Sequence, residues 1–496
     1  MLKRVHIAVL AFGAIIFAFT SLNGNVWFDE CYSLAAISHS GDELISVLTD
    51  DVHPFLYYFM LKAVSLVCGT SVPLLRLFSA LGMWLLGLAG YTHVRRYISE
   101  KAGLFFSLFC FILPAGIKYA CEIRMYSFAA LFVFFSAFYA YLTVKDSFKS
   151  KKNFILFVLF SVAAAYMHYY GLVTVCVINA FFIVGAVIKR LKLWQIAATA
   201  AAELLLYAPG FLVFITQSTR VASGDYWIRV KYPDVLLQTM SYAYTGGDSA
   251  WDSYMSFPVF CAVAAVGCVL FVLAVFAVVR GLKNGDTAAV PAALALGVFC
   301  GVVAAGLAVS VFKEFYYVRY SMLPYGLLLA VYAYAASVIK KKQLVYTLCI
   351  ALCVILAVVM IPFYVAVHNG DFAAAEAELN ESFADEDVLV FGALTPGSAV
   401  SYMLEGEEQY FVSPDMEEYP RAYTAFAPSL VTVPDFDSLP DDIEGRIWLL
   451  VQDYNEDKLT AALEQRYPNA ERTDTVELSV MYRHNEFKFI VYAPAD

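Results

Sequence analysis

Charged residues are scarce in this chain: they make up 15% of its 496 residues, against 61% hydrophobic residues. Soluble globular domains carry about 25% charged residues, and the mean hydropathy of +0.67 lies far above a soluble average. This scarcity excludes an ordinary soluble protein. Many runs reach the roughly 18–20 apolar residues that a helix needs to cross a bilayer. The sequence therefore predicts a polytopic, all-α membrane protein over most of its length.

Cysteine is missing from the C-terminal part of the chain, because all ten cysteines precede residue 354. We therefore predict that this part is not held together by disulfides, even if it faces outward. No CxxC motif or Cys/His spacing typical of a metal site occurs, so no metal ligand is assigned. Cys31 and Cys121 each stand next to an acidic residue. A disulfide between them and two free thiols both stay open.

Nucleotide-binding motifs and basic residues are also lacking in the C-terminal part. It has neither a GxGxxG nor a P-loop pattern, so no nucleotide is assigned. Residues 365–496 hold 7 Lys and Arg against 27 Asp and Glu, whereas residues 1–364 hold 26 against 16. An acidic surface argues against binding to nucleic acid or to anionic lipid. We predict a membrane domain over 1–364 and a soluble acidic domain over 365–496.

Six clusters of Lys and Arg separate the apolar runs and set the predicted orientation. Cytoplasmic loops carry an excess of these residues, so all six clusters are predicted to face the cytoplasm. The N-terminal run starts like a signal peptide but lacks a convincing cleavage site, and we interpret it as a retained first helix. The result is a multi-pass protein of the plasma membrane with its N-terminus in the cytoplasm and its C-terminal domain outside. The clusters lie at 3–4, 95–96, 145–152, 189–192, 280–283 and 340–342, and eleven spans are predicted over residues 5–22, 72–94, 102–119, 123–144, 153–169, 172–188, 193–216, 256–279, 288–311, 320–339 and 343–364.

One apolar run does not fit this count. Residues 54–68 are about 15 residues long and contain Lys62, which is short for a span. If this run crossed the membrane, the cluster at 95–96 would face outward. We therefore predict a juxtamembrane or re-entrant helix in the first outer loop, 23–71.

The C-terminal domain alternates in pattern between strands and helices. Continuous apolar strands between helices are typical of a small α/β sandwich. Residues 477–493, near the C-terminus, predict a hairpin that turns at His484 and Asn485. A domain that covers the site or binds the acceptor and a passive cap both stay open. Strands are predicted over 387–393, 408–413, 429–433 and 446–453, and helices over 376–383, 398–404 and 456–467.

The first outer loop concentrates acidic residues in a very apolar protein. Carboxylates held at a membrane surface are candidates for general-base or metal chemistry. The alternative is a solvated loop whose acids only keep it in water. Neighbouring aromatic residues favour the first interpretation, because they would hold the acids at the interface. The acids are Asp29, Glu30, Asp42, Glu43, Asp50 and Asp51, with His53 at the end of the loop and Trp27, Phe28, Tyr57 and Tyr58 as the aromatic residues.

Two further outer segments combine cations with acids. The corner CEIRMYS, residues 121–127, places Glu122 and Arg124 at the mouth of a helix. Arg124 is either an interfacial anchor or a cation that binds a phosphate through bidentate contacts. Residues 311–325 add Lys313 and Arg319 among tyrosines. His168, at another outer corner, and Glu203, inside a span, are interpreted as residues without a role at a site.

These motifs together resemble a known family. The order WFDE-x-YS, D-x-HP-x-LYY and then E-x-R-x-YS about seventy residues on is similar to the GT-C superfamily of integral-membrane glycosyltransferases. The similar branch is glycosyltransferase family 39, which holds dolichyl-phosphate-mannose protein mannosyltransferases and aminoarabinose transferases. The resemblance covers most of residues 1–330. Phe55 stands where the family usually has a second proline.

The resemblance implies roles for individual residues and a GT-C-like fold. Asp29 would be the catalytic carboxylate, and Glu30 would support it or help to place the acceptor. His53 would line the site. Glu122, Arg124 and Tyr126 match the second motif, with Arg124 near the donor phosphate, and Arg319 is a weaker match for a late phosphate-binding arginine. The donor would be a sugar linked to undecaprenyl or dolichyl phosphate.

The chemistry is consistent with these roles. Asp29 would take the proton of an acceptor hydroxyl, and in-line attack would invert the anomeric carbon. Arg124, Arg319, Lys313 or a bound divalent metal would stabilise the charge on the departing phosphate. The predicted partners are a polyprenyl-phosphate sugar, an extracytoplasmic acceptor and the lipid bilayer, but no nucleic acid. A transporter or flippase of an envelope precursor, and a structural or sensor protein, stay open as alternatives.

Overall fold

The membrane part of the chain is a bundle of helices. A computed structural model describes residues 2–223, 228–413, 427 and 429–493. Among these residues, eight helices are long and apolar enough to cross a membrane, or nine if one bent pair counts as a span. They are Leu2–Ser21, Val72–Tyr97, Tyr126–Lys145, Tyr169–Ile188, Leu193–Thr219, Phe257–Lys283, Ala289–Ser310 and Ile350–Ser382, which runs from within helix Lys342–His368 to the end of helix Asp371–Ser382. Shorter helices are Phe28–Ser38, Gly41–Asp50, Leu56–Cys68, Lys151–Met167, Asp234–Thr245 and Tyr325–Ser337.

Three of the eleven predicted spans are not among these eight helices. The predicted span 153–169 is a helix of 17 residues, Lys151–Met167. The predicted span 102–119 is a bent pair, Glu100–Ile112 and Pro114–Ala120, at an angle of 61°. Proline removes a backbone donor and disfavours a helical conformation in the residue before it, and Leu113 is extended accordingly. The predicted span 320–339 is a 3₁₀ turn followed by a helix of only 13 residues. The count of eleven stays a prediction.

The run 54–68 forms the helix Leu56–Cys68, which is 13 residues long. At 1.5 Å per residue such a helix is about 20 Å long, less than the roughly 30 Å of a hydrocarbon core. Tyr57, Tyr58 and Leu61 are buried in the protein, and the Lys62 amine donates a hydrogen bond of 2.5 Å to the carbonyl of Ile37. The helix is thus fixed to the segment that carries the acidic loop.

We expect single cysteines to report the predicted orientation. In a background without native cysteines, a cysteine at position 454 should react with an impermeant reagent on intact cells, because Tyr454 is 80% exposed in the C-terminal domain. A cysteine at position 341, in the basic cluster at 340–342, should react only after permeabilisation. The reverse pattern at either position would contradict the orientation.

The C-terminal domain contains one six-stranded sheet of order β3-β2-β1-β4-β6-β5. The first four strands pair in parallel, and β6 joins β4 and β5 in antiparallel fashion. The α/β prediction is confirmed, because each predicted strand and helix has a counterpart within a few residues. The elements are β1 Val388–Phe391, β2 Glu408–Val412, β3 Leu430–Val433, β4 Ile447–Val451, β5 Glu471–Val480 and β6 Asn485–Ala493, with helices Asp371–Ser382, Leu394–Met403 and Glu456–Arg466.

The hairpin prediction is wrong in its turn and its first strand. Val480 pairs with Asn485, so the turn comprises residues 481–484 and does not lie at 484–485. Arg483 and His484 adopt left-handed conformations with φ of 58° and 52°, which local sequence does not favour in these residue types. Strand β5 begins six residues earlier than predicted, because its first half is exposed and polar and gives no apolar alternation.

Candidate active site

The acidic loop folds into a short helix, Phe28–Ser38, which we call the site helix. Asp29 and Glu30 occupy its first turn, where the helix dipole favours carboxylates. Consecutive residues on a helix point in directions about 100° apart. The two side chains therefore have different surroundings: Asp29 faces two arginines, and Glu30 faces the protein interior.

Asp29 is held between the two arginines of the later motifs. Its Oδ2 lies 3.0 Å from Nη1 of Arg319 and 3.8 Å from Nε of Arg124. Burial opposes ionisation of Asp29, but the charges of Arg124, Arg319 and other nearby cations outweigh it and lower the pKa of this carboxyl group. Asp29 is therefore ionised over the whole neutral range. The structure brings together three residues that the sequence predicted for one site.

Arg124 connects Asp29 to the end of the outer loop. It donates hydrogen bonds to the hydroxyl of Tyr58 at 3.0 Å and to Nε2 of His53 at 3.2 Å. A guanidinium cannot accept a hydrogen bond, so Nε2 of His53 must be the acceptor. Its Nδ1 then carries the proton and donates a hydrogen bond of 3.1 Å to Oδ2 of Asp51. His53 is thus oriented from both sides.

His168 belongs to the same site, although the sequence gave it no role. Its ring centroid lies 5.5 Å from that of His53, 6.0 Å from that of Tyr126 and 5.0 Å from that of Tyr320. Nδ1 accepts a hydrogen bond of 2.9 Å from the backbone N–H of Tyr170. The proton must therefore lie on Nε2, because burial lowers the pKa of His168 well below its usual value and keeps the ring neutral.

Several buried donors around Asp29 have no acceptor among the described residues. Nε of Arg124, Nε of Arg319, Nε2 of His168 and Nε1 of Trp27 all belong to this group. Buried donors without partners are costly, and native proteins pair nearly all of them. Arg124 and Arg319 contact Asp29, while His168 lies near both arginines and Trp27 lies under Arg319. The arrangement is suited to an anion with several oxygen atoms.

Glu30 occupies a different position from Asp29. It is fully buried, and Nε and Nη2 of Arg76 donate to its two oxygens at 2.9 and 2.7 Å. The backbone N–H of Ile123 donates to Oε1 at 3.1 Å. Glu30 therefore ties the site helix to the span Val72–Tyr97 and to the 121–127 corner, which favours the supporting role among the two that the resemblance implied.

We expect Arg76→Met to destabilise the protein by about 3–5 kcal/mol, because it leaves a buried carboxylate without its partner. A clear drop in the thermal unfolding temperature in detergent would show this loss. Arg96→Met is the matched control, since Arg96 is exposed near the other end of the same helix. Unchanged stability together with lost activity would instead give the Arg76–Glu30 pair a direct part in the chemistry.

Glu122 is paired with a residue of the C-terminal domain that the sequence did not single out. The side chain is buried, and Oε1 accepts a hydrogen bond from Nη2 of Arg483 in the hairpin turn. Oε2 has no donor among the described residues. Burial raises the pKa of Glu122, while Arg483 and Arg319 act in the opposite direction.

The remaining predicted residues are distributed as follows. Lys313 is exposed at the bend before the 3₁₀ turn Val318–Met322. Tyr126 is buried near Arg319, Asp29 and Arg124. Glu203 accepts a hydrogen bond of 2.8 Å from Asn179. Cys31 and Cys121 are free and buried.

The side chains around Asp29 do not fit a divalent metal. No group of three or more His, Cys, Asp or Glu residues that could hold one occurs in the described part of the chain. The groups nearest to Asp29 and Glu122 are guanidinium groups, whose positive charge would repel a metal ion. Positive charge at this site is supplied by arginine.

Two solved structures share this architecture over nearly the whole chain. ArnT from Cupriavidus metallidurans in the apo state has a TM-score of 0.60 at 11% identity, covering 98% of this chain and 97% of ArnT. The same protein bound to undecaprenyl phosphate has a TM-score of 0.56 at 12% identity with the same coverage. No protein-family model and no curated protein matches the sequence. At this identity the likeness concerns the fold, and the chain has the GT-C-like fold of ArnT that its sequence predicted.

Proposed function

We propose that this chain is an inverting glycosyltransferase. It transfers a sugar from a polyprenyl-phosphate-linked donor to an extracytoplasmic acceptor, which is a protein, a lipid or a cell-envelope glycan. The observation that carries the proposal is the set of buried donors without acceptors around Asp29, at Arg124, Arg319 and His168. A phosphate group offers the oxygens that these donors need, and arginine binds phosphate strongly.

An apolar cleft next to this site supports a lipid-linked donor. The cleft has a volume of about 400 Å³, and its lining includes Pro54 and Tyr169, the residues that follow His53 and His168 in the chain. Its other walls are apolar or aromatic. A polyprenyl chain in the cleft would therefore place its phosphate beside the two histidines. The solved ArnT structure with undecaprenyl phosphate contains a ligand of this kind. The remaining lining residues are Phe55, Leu56, Phe59, Tyr166, Tyr207, Pro209, Gly210 and Val213.

The proposed reaction exchanges one bond at the anomeric carbon. The acceptor oxygen attacks this carbon while its bond to the phosphate oxygen breaks, so that the configuration inverts. Asp29 is ionised and takes the proton of the acceptor hydroxyl as the new bond forms. Negative charge grows on the departing polyprenyl phosphate, and Arg124 and Arg319 stabilise it from fixed positions. His168 donates from Nε2 to the same phosphate.

The test compares cells with and without the protein by mass spectrometry of lipid-linked sugars and extracytoplasmic glycans. We expect a lipid-linked sugar to accumulate and one glycan to lose that sugar when the protein is missing. The purified protein in lipid nanodiscs should consume this donor, release polyprenyl phosphate and form a product with inverted configuration. A purified protein that moves the lipid-linked sugar across the bilayer without consuming it would make the chain a flippase and contradict the proposal.

A further inference from the structure

The hairpin turn of the C-terminal domain, residues 481–484, lies against the candidate active site. The hydroxyl of Tyr482 lies 3.4 Å from Oε2 of Glu30, and Arg483 donates to Glu122. The Tyr482 residue is 5% exposed and the Arg483 side chain 14% exposed. These two residues are therefore largely enclosed by the protein, although both are polar and lie at the tip of a hairpin.

Arg483 is enclosed by groups that suit a cation. Its guanidinium carbon lies 3.8 Å from the centre of the Trp27 ring, within the range of cation–π interactions. Its Nη1 lies 3.6 Å from Oδ1 of Asp252. Its backbone N–H donates to the hydroxyl of Tyr254 at 2.7 Å. Trp27 directly precedes the site helix, so Arg483 contacts both the start of this helix and the second motif.

The loop at 247–254 forms the other half of this contact. The ring of His484 lies 4.0 Å from that of Trp251 and 4.7 Å from that of Tyr254. Its Nε2 also contacts the carbonyl of Trp251 at 2.9 Å. Left-handed conformations in two successive residues of the turn persist only where the surroundings impose them. The loop thus holds the turn in the conformation that directs Arg483 toward Glu122.

A second contact joins the C-terminal domain to the same helix. The helix Leu394–Met403 packs against the site helix. Two separate parts of the C-terminal domain therefore contact the site helix, which carries Asp29. A passive cap would not need contacts with both Glu30 and Glu122.

We infer that Arg483 is a positioning residue that neutralises Glu122 and so leaves Arg319 available to the anionic donor. This inference rests on the proposed function. Without Arg483, the negative charge of Glu122 would act on Arg319 and on the phosphate itself, and donor binding would weaken. The C-terminal domain would thereby complete the donor site of the membrane domain.

The test measures binding of undecaprenyl phosphate to the full-length protein in lipid nanodiscs. Arg483→Gln should weaken binding on the order of tenfold, the size of effect that a unit charge exerts at several ångströms in a partly screened site. Arg483→Lys keeps the charge and should bind more tightly than Arg483→Gln. The double variant Glu122→Gln/Arg483→Gln should recover binding to within about threefold of wild type, because it also removes the uncompensated charge. A merely structural role of Arg483 would not be rescued by this second substitution.

The pH dependence gives an independent readout. The loss of Arg483 should raise the pKa of Glu122 further, because Arg483 acts to lower it. As the pH falls, Glu122 becomes protonated and neutral, so the binding defect of Arg483→Gln relative to wild type should shrink toward acid pH. The double variant should show no such trend. The groups that act on Glu122 or respond to it are Arg483, Arg319, Asp29, Glu30, Tyr57, Lys118, Tyr119, Cys121, Tyr254 and Tyr482.

Arg466→Gln is the control, because Arg466 pairs with Asp441 and Leu439 within the C-terminal domain. It should bind the lipid as wild type does. If Arg483→Gln binds the lipid as tightly as wild type does, or if the double variant does not rescue the defect, the inference is overturned but the proposed function is not. A wild-type protein that does not bind undecaprenyl phosphate would count against the proposed function as well.

Discussion

Asp29→Asn should lower the rate of sugar transfer by about 10²–10⁴-fold, the usual contribution of a general base. The substitution keeps the shape of the side chain but removes its proton-accepting charge and its ion pair with Arg319. Transfer of radiolabelled sugar from a polyprenyl-phosphate donor by purified protein measures the effect. Asp42→Asn is the matched control, because Asp42 is an exposed acid of the same outer loop.

The pH dependence of wild-type transfer bears on the same residue. Because neighbouring cations lower the pKa of Asp29, this group keeps its charge down to pH values below its ordinary pKa of 3.8. Protonation of Asp29 should therefore cause no loss of wild-type transfer between pH 7 and pH 5. An Asp29→Asn protein that is folded and transfers sugar at a near-normal rate would remove Asp29 from the mechanism.

Arg124→Ala should cost about 2–4 kcal/mol of transition-state stabilisation, because it removes a donor aimed at the charge that develops on the phosphate. The loss should appear in the kinetics with respect to the donor, with acceptor binding largely intact. Arg124 also orients His53 and contacts Tyr58, so alanine disrupts the link to Asp51 as well. Arg124→Lys keeps the charge but loses the planar guanidinium that can bind two phosphate oxygens at once. Its rate of sugar transfer should be reduced but still measurable.

The control for Arg124 is Arg229→Ala, in another outer segment. The Arg229 side chain is 52% exposed and lies 3.2 Å from Glu314, and exposed ion pairs contribute about 0–1 kcal/mol. It should leave transfer nearly unchanged. If Arg124→Ala weakened only acceptor binding, or destabilised the protein without changing transfer, the interfacial-anchor interpretation of Arg124 would stand.

The residues that the sequence assigned to one site and that the structure brings together lie in short motifs at the ends of helices. Asp29, Arg124 and Arg319 lie in three such segments, and the structure brings them within 4 Å of a shared carboxylate oxygen. Hydrophobicity also predicted most helices, because the bilayer requires about 20 apolar residues in a row. Their breaks were less predictable, although Pro114 was a visible signal for one of them.

The residues that the sequence missed depend on contacts between distant parts of the chain. Arg76 had a local signal, since a charge inside an apolar span is costly and needs a partner. His168 and Arg483 had none. The importance of His168 comes from its neighbours on other helices, and Arg483 lies in an ordinary polar turn that becomes buried only when two domains meet.

The contact between Arg483 and Glu122 joins residues 361 positions apart. A ribosome adding about 5–20 residues per second needs roughly 20–70 s to make the intervening chain. During that interval the helices that carry Glu122 enter the membrane while this carboxylate has no cation from the hairpin. Translation order therefore separates insertion from maturation, because the inserted helices carry an acid without its cation until the hairpin has been made and has folded against them.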